Sequence, residues 1–309
     1  MQNALPPYSD GVNLTLDELH YYKQQCVKWL PPAKSLWSQM LGQHQSRQLG
    51  RGMDFSEVRQ YQAGDDIRAI DWRVTARTGK PHTKLFSEER EKPIMLYLDL
   101  SASMLFGSTL MLKSVQMAHM ASLIAWLSVS QQDRIGAVID TGHQLIELKP
   151  TSRNKGALAL TQSLVNLHHQ LLSAKKESDY DVSHALQSLA RVCPKGSEII
   201  LLSDFSRFTQ AHESKLSRLS QHNRVRMIQI YDPLERGQTA YRGTEQVSNK
   251  QQTRWLDFSS NKTRLGIEQA FEQQQTQLQH MALRMGISFS SLSSDAALTQ
   301  QLHGFKYEL

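Results

Sequence analysis

The chain has 309 residues, of which 39% are hydrophobic, so it can bury the core of one large α/β domain or of two small domains. Its 35 basic and 29 acidic side chains give a net charge of +6. Basic and acidic residues are interleaved along the chain, which argues against a continuous basic surface that binds nucleic acid. Cys26 and Cys193 lie far apart in the sequence with no C-x-x-C pairing, so neither a disulfide framework nor a zinc site is indicated. Without acidic partners at metal-ligand spacing, His143, His168 and His169 are expected on the surface.

Residues 1–49 are predicted to form an N-terminal helical arm. Thr15-Leu-Asp-Glu18 is a capping-box pattern, and it precedes amphipathic spacing over residues 16–30. The first ten residues lack a positive start followed by an apolar stretch, which is the pattern of a secretory signal. No later apolar segment is long enough to cross a bilayer. We therefore expect a cytoplasmic protein without a membrane span.

Residues 50–92 form a segment rich in arginine, aspartate and glycine. From Gly50 to Arg77 we find neither helix nor strand periodicity, so an irregular segment packed on the main domain by side-chain contacts is expected. Trp72 and Tyr61 are the predicted apolar anchors, and Gly64 is predicted to take a tight turn. Bidentate ion pairs are expected among Arg59, Asp65, Asp66, Arg68, Asp71, Arg73 and Arg77. A docking surface is the alternative interpretation.

From residue 82 onward, short apolar runs alternate with helical spacing. Strands are predicted at 84–87, 94–98, 134–140, 144–148, 198–203, 224–231 and 287–292, and helices at 112–130, 154–172, 182–192, 211–221 and 268–285. This alternation predicts an α/β fold with a doubly wound, mostly parallel sheet over residues 93–309. A turn-rich excursion at 232–260 is predicted to be a β-hairpin inserted at the edge of the sheet.

Two predicted strands end in oxygen-bearing side chains. Asp99, Ser101 and Ser103 follow the strand at 94–98, and Asp204 follows the strand at 198–203. Ligands bind beyond the carboxyl ends of strands in such sheets, so these side chains are expected to converge. A carboxylate with nearby hydroxyls is the sparse oxygen set that magnesium accepts, with water completing the octahedron. The alternative is that these residues are turn and cap residues.

Two patterns carry a resemblance to known families. Asp99-Leu-Ser101-Ala-Ser103, followed by a long helix and later by Leu201-Leu-Ser-Asp204, resembles the metal-ion-dependent adhesion site of von Willebrand factor type A domains. Gly50-Arg-Gly52-Met-Asp54-Phe55, together with the run from Arg59 to Arg77, closely resembles the signature of the domain-of-unknown-function-58 family. The resemblance covers the chain from residue 50 onward and implies a von Willebrand factor type A-like domain.

The resemblance implies a set of metal ligands. In type A domains an Asp, two Ser, a Thr from another loop and a second Asp hold a divalent cation, and a partner's carboxylate fills the open position. Carried over, the residues that would hold Mg²⁺ or Mn²⁺ are Asp99, Ser101, Ser103 and Asp204. Tyr180 stands at the expected Thr, so the substitutes would be Asp179, Asp181 or Ser183, or the site is weak or lost.

The resemblance also implies a function, because relatives are often encoded beside MoxR-type AAA+ ATPases. We expect a non-enzymatic, divalent-cation-dependent protein-binding module that serves such an ATPase as adaptor or co-chaperone for client proteins. A magnesium-dependent hydrolase or phosphatase is one alternative, although aspartyl-phosphate chemistry would require a carboxylate at Ser101. RNA binding is another alternative, motivated by charge alone.

Overall fold

The computed structural model describes residues 4–26, 49–62, 64–87, 92–173, 180–248 and 253–304. These residues fall into two compact units. The small unit is Trp37–Glu91, and the large unit combines Met1–Leu36 with Lys92–Leu309.

The helices and strands are as follows. The helices are α1 (16–26), α2 (Trp72–Thr78), α3 (Lys113–Ser130), α4 (Arg153–Ser173), α5 (Val182–Val192), α6 (Glu213–Ser220), α7 (Asn261–Arg284) and α8 (Leu298–Gly304). The strands are β1 (Leu49–Gln60), β2 (His82–Ser87), β3 (Pro93–Asp99), β4 (Arg134–Asp140), β5 (Leu145–Thr151), β6 (Glu198–Ser203), β7 (Arg224–Tyr231), β8 (Thr244–Ser248), β9 (Thr253–Asp257) and β10 (Ser288–Ser293).

The large unit is built on a six-stranded sheet in the order β10-β7-β6-β3-β4-β5. All neighbouring strands run parallel except β4 and β5, which are antiparallel. The predicted α/β fold with a mostly parallel sheet is therefore confirmed. All seven residues of β3 are buried, as expected for a strand that is covered on both faces.

Helices cover both faces of this sheet. Met95 and Tyr97 of β3 belong to a core cluster that includes residues of α5, α6 and α7. Successive side chains of a strand point to opposite faces, so Leu96 and Leu98 face the other layer. There α3 packs on the sheet and against α4. Helix α3 is buried from Lys113 to Ser128 because it lies between the sheet and other helices.

Helix α1 packs on α3. The predicted capping box is confirmed, since the backbone N–H of Glu18 donates to the Thr15 hydroxyl at 3.2 Å and the Thr15 N–H to the Glu18 carboxylate at 3.3 Å. The second carboxylate oxygen of Glu18 lies 2.6 Å from Nε2 of His119 on α3, and both side chains are fully buried. Leu19 and Tyr22 are buried on the same arm. The described residues 4–26 of the predicted arm are thus part of the fold of the large unit, whereas Leu49, its last residue, begins β1 in the small unit.

His168 on α4 is buried and its ring lies 2.9 Å from the hydroxyl of Ser114 on α3. The prediction that this histidine lies on the surface is wrong. It sits on the side of α4 that meets α3, and the serine of that helix supplies a hydrogen-bond partner for the buried ring.

The small unit contains a two-stranded antiparallel sheet of β1 and β2, together with α2. The prediction of an irregular segment from Gly50 to Arg77 is therefore wrong. Register shifts between Leu49 and Asp54 and between Phe55 and Glu57 interrupt the pairing of β1. Each bulge changes which residues share a face, so the strand shows no two-residue alternation in the sequence.

Residues 232–260 contain the antiparallel pair β8 and β9, with Thr244 opposite Asp257. Within the described residues this pair forms a sheet of its own and is not bonded to the central sheet. None of the helices described is both long enough and apolar enough to cross a membrane.

Candidate functional site

The direction in which strands are added to the sheet reverses between β3 and β6. From β3 the chain adds β4 and β5 on one side, and it then returns to place β6, β7 and β10 on the other side. Leu98 of β3 lies beside Leu202 of β6, so Asp99 and Ser203 follow at the same edge. Such a switch point is where open α/β sheets bind their ligands.

Asp99 ends β3 and is fully buried. Its Oδ1 accepts hydrogen bonds from the backbone N–H of Ser101 and from Nη2 of Arg207, both at 3.0 Å. Its Oδ2 accepts one from the hydroxyl of Ser203 at 2.6 Å. Both carboxylate oxygens therefore already have donors from the chain itself.

The other predicted ligands join the same network. The hydroxyls of Ser101 and Ser103 lie 3.3 Å apart, and the hydroxyl of Ser206 donates to that of Ser103 at 3.3 Å. Oδ1 of Asp204 accepts the backbone N–H of Ser206 at 2.9 Å. Burial raises the pKa of Asp99, and the negative charge of nearby Asp204 adds to that rise. The structure thus brings Asp99, Ser101, Ser103 and Asp204 together.

Arg207 is the central residue that sequence reasoning missed. Its Nη2 donates to Asp99 at 3.0 Å, to Oδ2 of Asp140 at 2.5 Å and to the hydroxyl of Tyr97 at 3.1 Å. Its Nη1 donates to the backbone carbonyl of Tyr180 at 3.2 Å. Burial opposes the charge, but the surrounding acidic groups raise the pKa of Arg207, so the guanidinium stays protonated.

A sharp turn after β6 places this arginine. Phe205 is buried and has a φ of 57°, which is uncommon for a bulky residue. The hydroxyl of Ser203 accepts the backbone N–H of Phe205 at 2.9 Å and supports the turn. The chain is thereby directed back, and Arg207 reaches the ends of β3 and β4. Strained backbone of this kind concentrates at functional sites.

A second buried cation, the ammonium group of Lys113, forms an ion pair with Asp204. Nζ of Lys113, at the start of α3, donates to Oδ2 of Asp204 at 2.9 Å and to Oε1 of Glu235 at 2.5 Å. Burial works against the ionised form of Asp204, but the charge and hydrogen bond of Lys113 lower its pKa overall. The same carboxylates raise the pKa of Lys113 against the effect of its burial. The pair is therefore an ion pair inside the protein.

Carboxylates follow four neighbouring parallel strands at this edge. Asp140 ends β4, Asp99 ends β3, Asp204 follows β6 and Asp232 follows β7. Asp232 is fully buried and accepts hydrogen bonds from the backbone N–H of Ser108 and from the hydroxyl of Ser294, both at 2.8 Å. Asp140 and Asp232 could have been found by extending the strand-end criterion to every strand. Arg207 had no such signal, because its carboxylate partners lie 67 and 108 residues away along the chain.

The donor set does not fit a resident divalent ion in this arrangement. An ion bound by Asp99 would have to share Oδ1 with the guanidinium of Arg207, and Oδ2 already accepts the hydroxyl proton of Ser203. Oδ2 of Asp204 likewise already accepts a hydrogen bond from the ammonium group of Lys113. Within the described parts of the chain, no three His, Cys, Asp or Glu side chains are grouped to hold a metal. The predicted Mg²⁺ or Mn²⁺ therefore competes with cations that the chain supplies.

The predicted substitutes for the missing threonine have other partners. Asp181 caps α5 by accepting the backbone N–H of Ser183 at 3.0 Å, and it pairs with Nε2 of His212 at 2.9 Å. These hydrogen bonds lower the pKa of Asp181 to about 2. Among the described contacts, Tyr180 joins the network through its carbonyl, and Asp179 lies outside the described residues.

The signature segment lies in the small unit, and only part of its predicted ion pairing forms. Arg59 pairs with Asp65 at 2.8 Å. Asp71 pairs with Lys84 at 3.4 Å and caps α2, while Asp66 accepts the backbone N–H of Arg68 at 3.0 Å. The aspartates thus satisfy local backbone donors instead of the arginines, a competition typical of short polar side chains.

The predicted anchoring of Trp72 is wrong, because its side chain is 68% exposed. Tyr61 is half-buried and donates its backbone N–H to Pro81 at 2.9 Å, and Gly64 has a φ of 107°. The predicted pairing of Arg68, Arg73 and Arg77 is also wrong within the described residues, where no carboxylate lies within ion-pair distance of them. We call Ile67, Arg68, Trp72, Arg73 and Arg77 the signature surface; all five are exposed.

The family model described as "Protein of unknown function DUF58" matches residues 57–277. The "Uncharacterized protein Rv1480" of Mycobacterium tuberculosis (strain ATCC 25618 / H37Rv) is 28% identical over 164 residues, which are 53% of this chain and 50% of that protein. The "Uncharacterized protein Mb1516" of Mycobacterium bovis matches with the same values. The chain thus spans about half the length of the curated relatives it matches.

Among solved structures, the "conserved hypothetical protein BatB" from Bacteroides thetaiotaomicron aligns with 13% identity and a TM-score of 0.40, over 69% of this chain and 95% of that chain. A "von Willebrand factor type A" structure from Catenulispora acidiphila aligns with 19% identity and a TM-score of 0.31, over 48% of this chain and 35% of that chain.

Proposed function

The chain belongs to the DUF58 family, and we propose that it is a non-enzymatic protein-binding module that serves a MoxR-type AAA+ ATPase as adaptor or co-chaperone for client proteins. The observation that carries this proposal is the signature surface. It exposes an indole ring, an isoleucine and, within the same 11 residues of sequence, arginines that have no ion-pair partner among the described residues.

The composition of this surface favours a protein partner. Trp and Arg are enriched among the residues that contribute most to binding at protein interfaces. Arg73 and Arg77 are four residues apart on α2 and therefore lie on the same face of that helix. Their positive charges are complementary to an acidic surface, so we propose an acidic patch of the ATPase as the occupant.

The geometry of the carboxyl edge does not favour catalysis. A serine nucleophile needs a base within hydrogen-bond reach. The hydroxyl of Ser101 contacts that of Ser103, and no histidine in the described parts of the chain lies within hydrogen-bond distance of either. Ser103 also hydrogen-bonds to the carboxylate of Asp204, but Lys113 holds that carboxylate in an ion pair. The buried carboxylate of Asp99 is committed to three donors. These contacts support binding over hydrolysis.

The proposal places the protein in the cytoplasm, with which the free thiols of Cys26 and Cys193 agree. Binding of a client or of the ATPase through the carboxyl edge is part of the same proposal. The sequence predicts that such binding depends on a divalent cation, whereas the contacts of Arg207 favour a site without one.

The test is binding of the full chain to the MoxR-type ATPase of the same organism, measured by biolayer interferometry. Trp72→Ala is expected to weaken binding by about 30-fold, as at a residue that dominates an interface. Trp255→Ala is the matched control, because Trp255 on β9 is also 68% exposed but lies outside the signature surface.

The double variant Arg73→Glu/Arg77→Glu is expected to bind more weakly than wild type, and this loss of affinity is expected to be larger at low salt than at high salt. Salt screens the electrostatic attraction that the two arginines contribute. No binding of the wild-type chain would contradict the proposal. Equal losses for Trp72→Ala and Trp255→Ala would contradict the choice of surface.

A further inference from the structure

Arg207 joins the three loops that the sequence predicts to hold a metal ion. It belongs to the loop after β6, it contacts Asp99 at the end of β3 where the next loop begins, and it donates to the carbonyl of Tyr180 before α5. Its third and fourth partners, Asp140 and Tyr97, come from β4 and β3. One guanidinium therefore makes the connections that a coordinated ion would make between separate loops.

The site holds two buried cations, and each lies between two carboxylates. The guanidinium of Arg207 serves the carboxylates of Asp99 and Asp140. The ammonium of Lys113 serves Asp204 and Glu235 in the same way. A divalent ion placed among these carboxylates would compete with the two cations for the same carboxylate oxygens.

Tyr180, which stands at the expected threonine position, also contacts Arg207. Tyr180 offers no hydroxyl near Asp99 in the described contacts, but its backbone carbonyl accepts Nη1 of Arg207 at 3.2 Å. A carbonyl that accepts a guanidinium proton replaces a hydroxyl that would bind an ion. The side chain of Arg207 is only 7% exposed, so the guanidinium is held in the site and does not extend into solvent.

We infer that Arg207 is a built-in cation that takes the place of the divalent ion at the carboxyl edge of the sheet. The site is held together by an ion of the chain itself and requires no metal. This inference concerns the isolated protein and does not depend on the adaptor function, so either can fail without the other.

The test compares metal binding and melting temperature in wild type, Arg207→Ala and Arg218→Ala. Arg218 is an exposed residue of α6 and serves as the control for loss of an arginine. Purified protein is freed of metal with a chelator and titrated with MgCl₂ and with MnCl₂ by isothermal calorimetry. Thermal unfolding is recorded with and without millimolar concentrations of each salt.

We expect no binding heat and no metal-dependent change in melting temperature for wild type and Arg218→Ala. Arg207→Ala leaves two buried carboxylates without their cation, so its melting temperature is expected to fall by roughly 10 °C. Mg²⁺ or Mn²⁺ is expected to bind this variant and to restore part of the loss, because the vacated position again offers free carboxylate oxygens.

Three results would overturn the inference. The first is wild-type protein that binds either ion at submillimolar concentration, a result that stands even if Arg207→Ala does not fold. The second is an Arg207→Ala variant that melts like wild type. The third is a folded variant that is destabilised but responds to neither ion, since Arg207 would then pair with the carboxylates without replacing a metal.

Discussion

Buried His168 is expected to make the stability of the protein depend on pH. Burial lowers the pKa of its imidazole to about 4, the charge of His169 lowers it further, and Glu18 and Asp10 act in the opposite direction. A histidine whose pKa is lower in the folded state is neutral there, and its contribution is fully present above the unfolded pKa of about 6.5. That stability is lost as the pH falls from about 6.5 toward 4.

The size of the effect follows from the difference between the two pKa values. The free energy of unfolding is expected to fall by about 1.2 kcal/mol at a pH of about 5.5 and by about 2.4 kcal/mol at about 4.5, relative to neutral pH. His168→Gln removes the titrating group and keeps a polar atom that can hydrogen-bond to the hydroxyl of Ser114. This variant should lack that part of the pH dependence.

The assay is urea unfolding of wild type and His168→Gln at neutral pH and at the two acidic values. The difference between the two proteins isolates His168, because the other acidic and basic groups are common to both. His169→Gln is the control at the exposed neighbouring position, and it is expected to change stability by less than about 0.5 kcal/mol. If wild type and His168→Gln lose stability in parallel on acidification, the argument from burial is refuted.

Two further substitutions test the packing of the large unit. Lys113→Met leaves buried Asp204 and half-buried Glu235 without their cation, so a loss of about 3–5 kcal/mol is expected in urea unfolding, whereas Lys155→Met at an exposed position should change little. Gly136→Ala would bring a Cβ within 2.6 Å of the carbonyl oxygen of Leu148, a backbone clash expected to cost about 1–3 kcal/mol; unchanged stability would show that β4 and β5 separate easily.

The central sheet could be predicted because its strands coincide with short runs of apolar residues that are visible in the sequence. The predicted strands at 198–203 and 224–231 coincide with β6 and β7, whose residues are buried almost throughout. The helix predicted at 182–192 coincides with α5, which Asp181 caps. An apolar run that ends at a polar cap needs no information from distant parts of the chain.

Elements that depend on their neighbours were harder to predict. Strand β5 was expected to end at 148, but it continues to Thr151 and includes Pro150. Proline is tolerated there because β5 lies at the edge of the sheet. The strand β1 and helix α2 escaped prediction because the pairing of β1 with β2 is bulged.

The candidate site likewise combines residues that could be predicted from the sequence with residues that could not. The convergence of Asp99 and Asp204 follows from the topology of the sheet, since both follow strands beside the switch point. The positions of Arg207 and Lys113 depend on how far long side chains reach across the edge of the sheet. Sequence spacing carries no information about that reach, so the cations of the site were found only in the structure.

The contact between Glu18 and His119 changes where a working fragment can begin. The family match starts at residue 57, yet the arm residues before it cover the apolar surface of α3 and supply the acidic partner of a fully buried imidazole. A recombinant fragment that begins at residue 57 would therefore expose the apolar surface of α3 to solvent and is expected to aggregate. Expression should begin upstream of Leu14, so that α1 is present to cover α3.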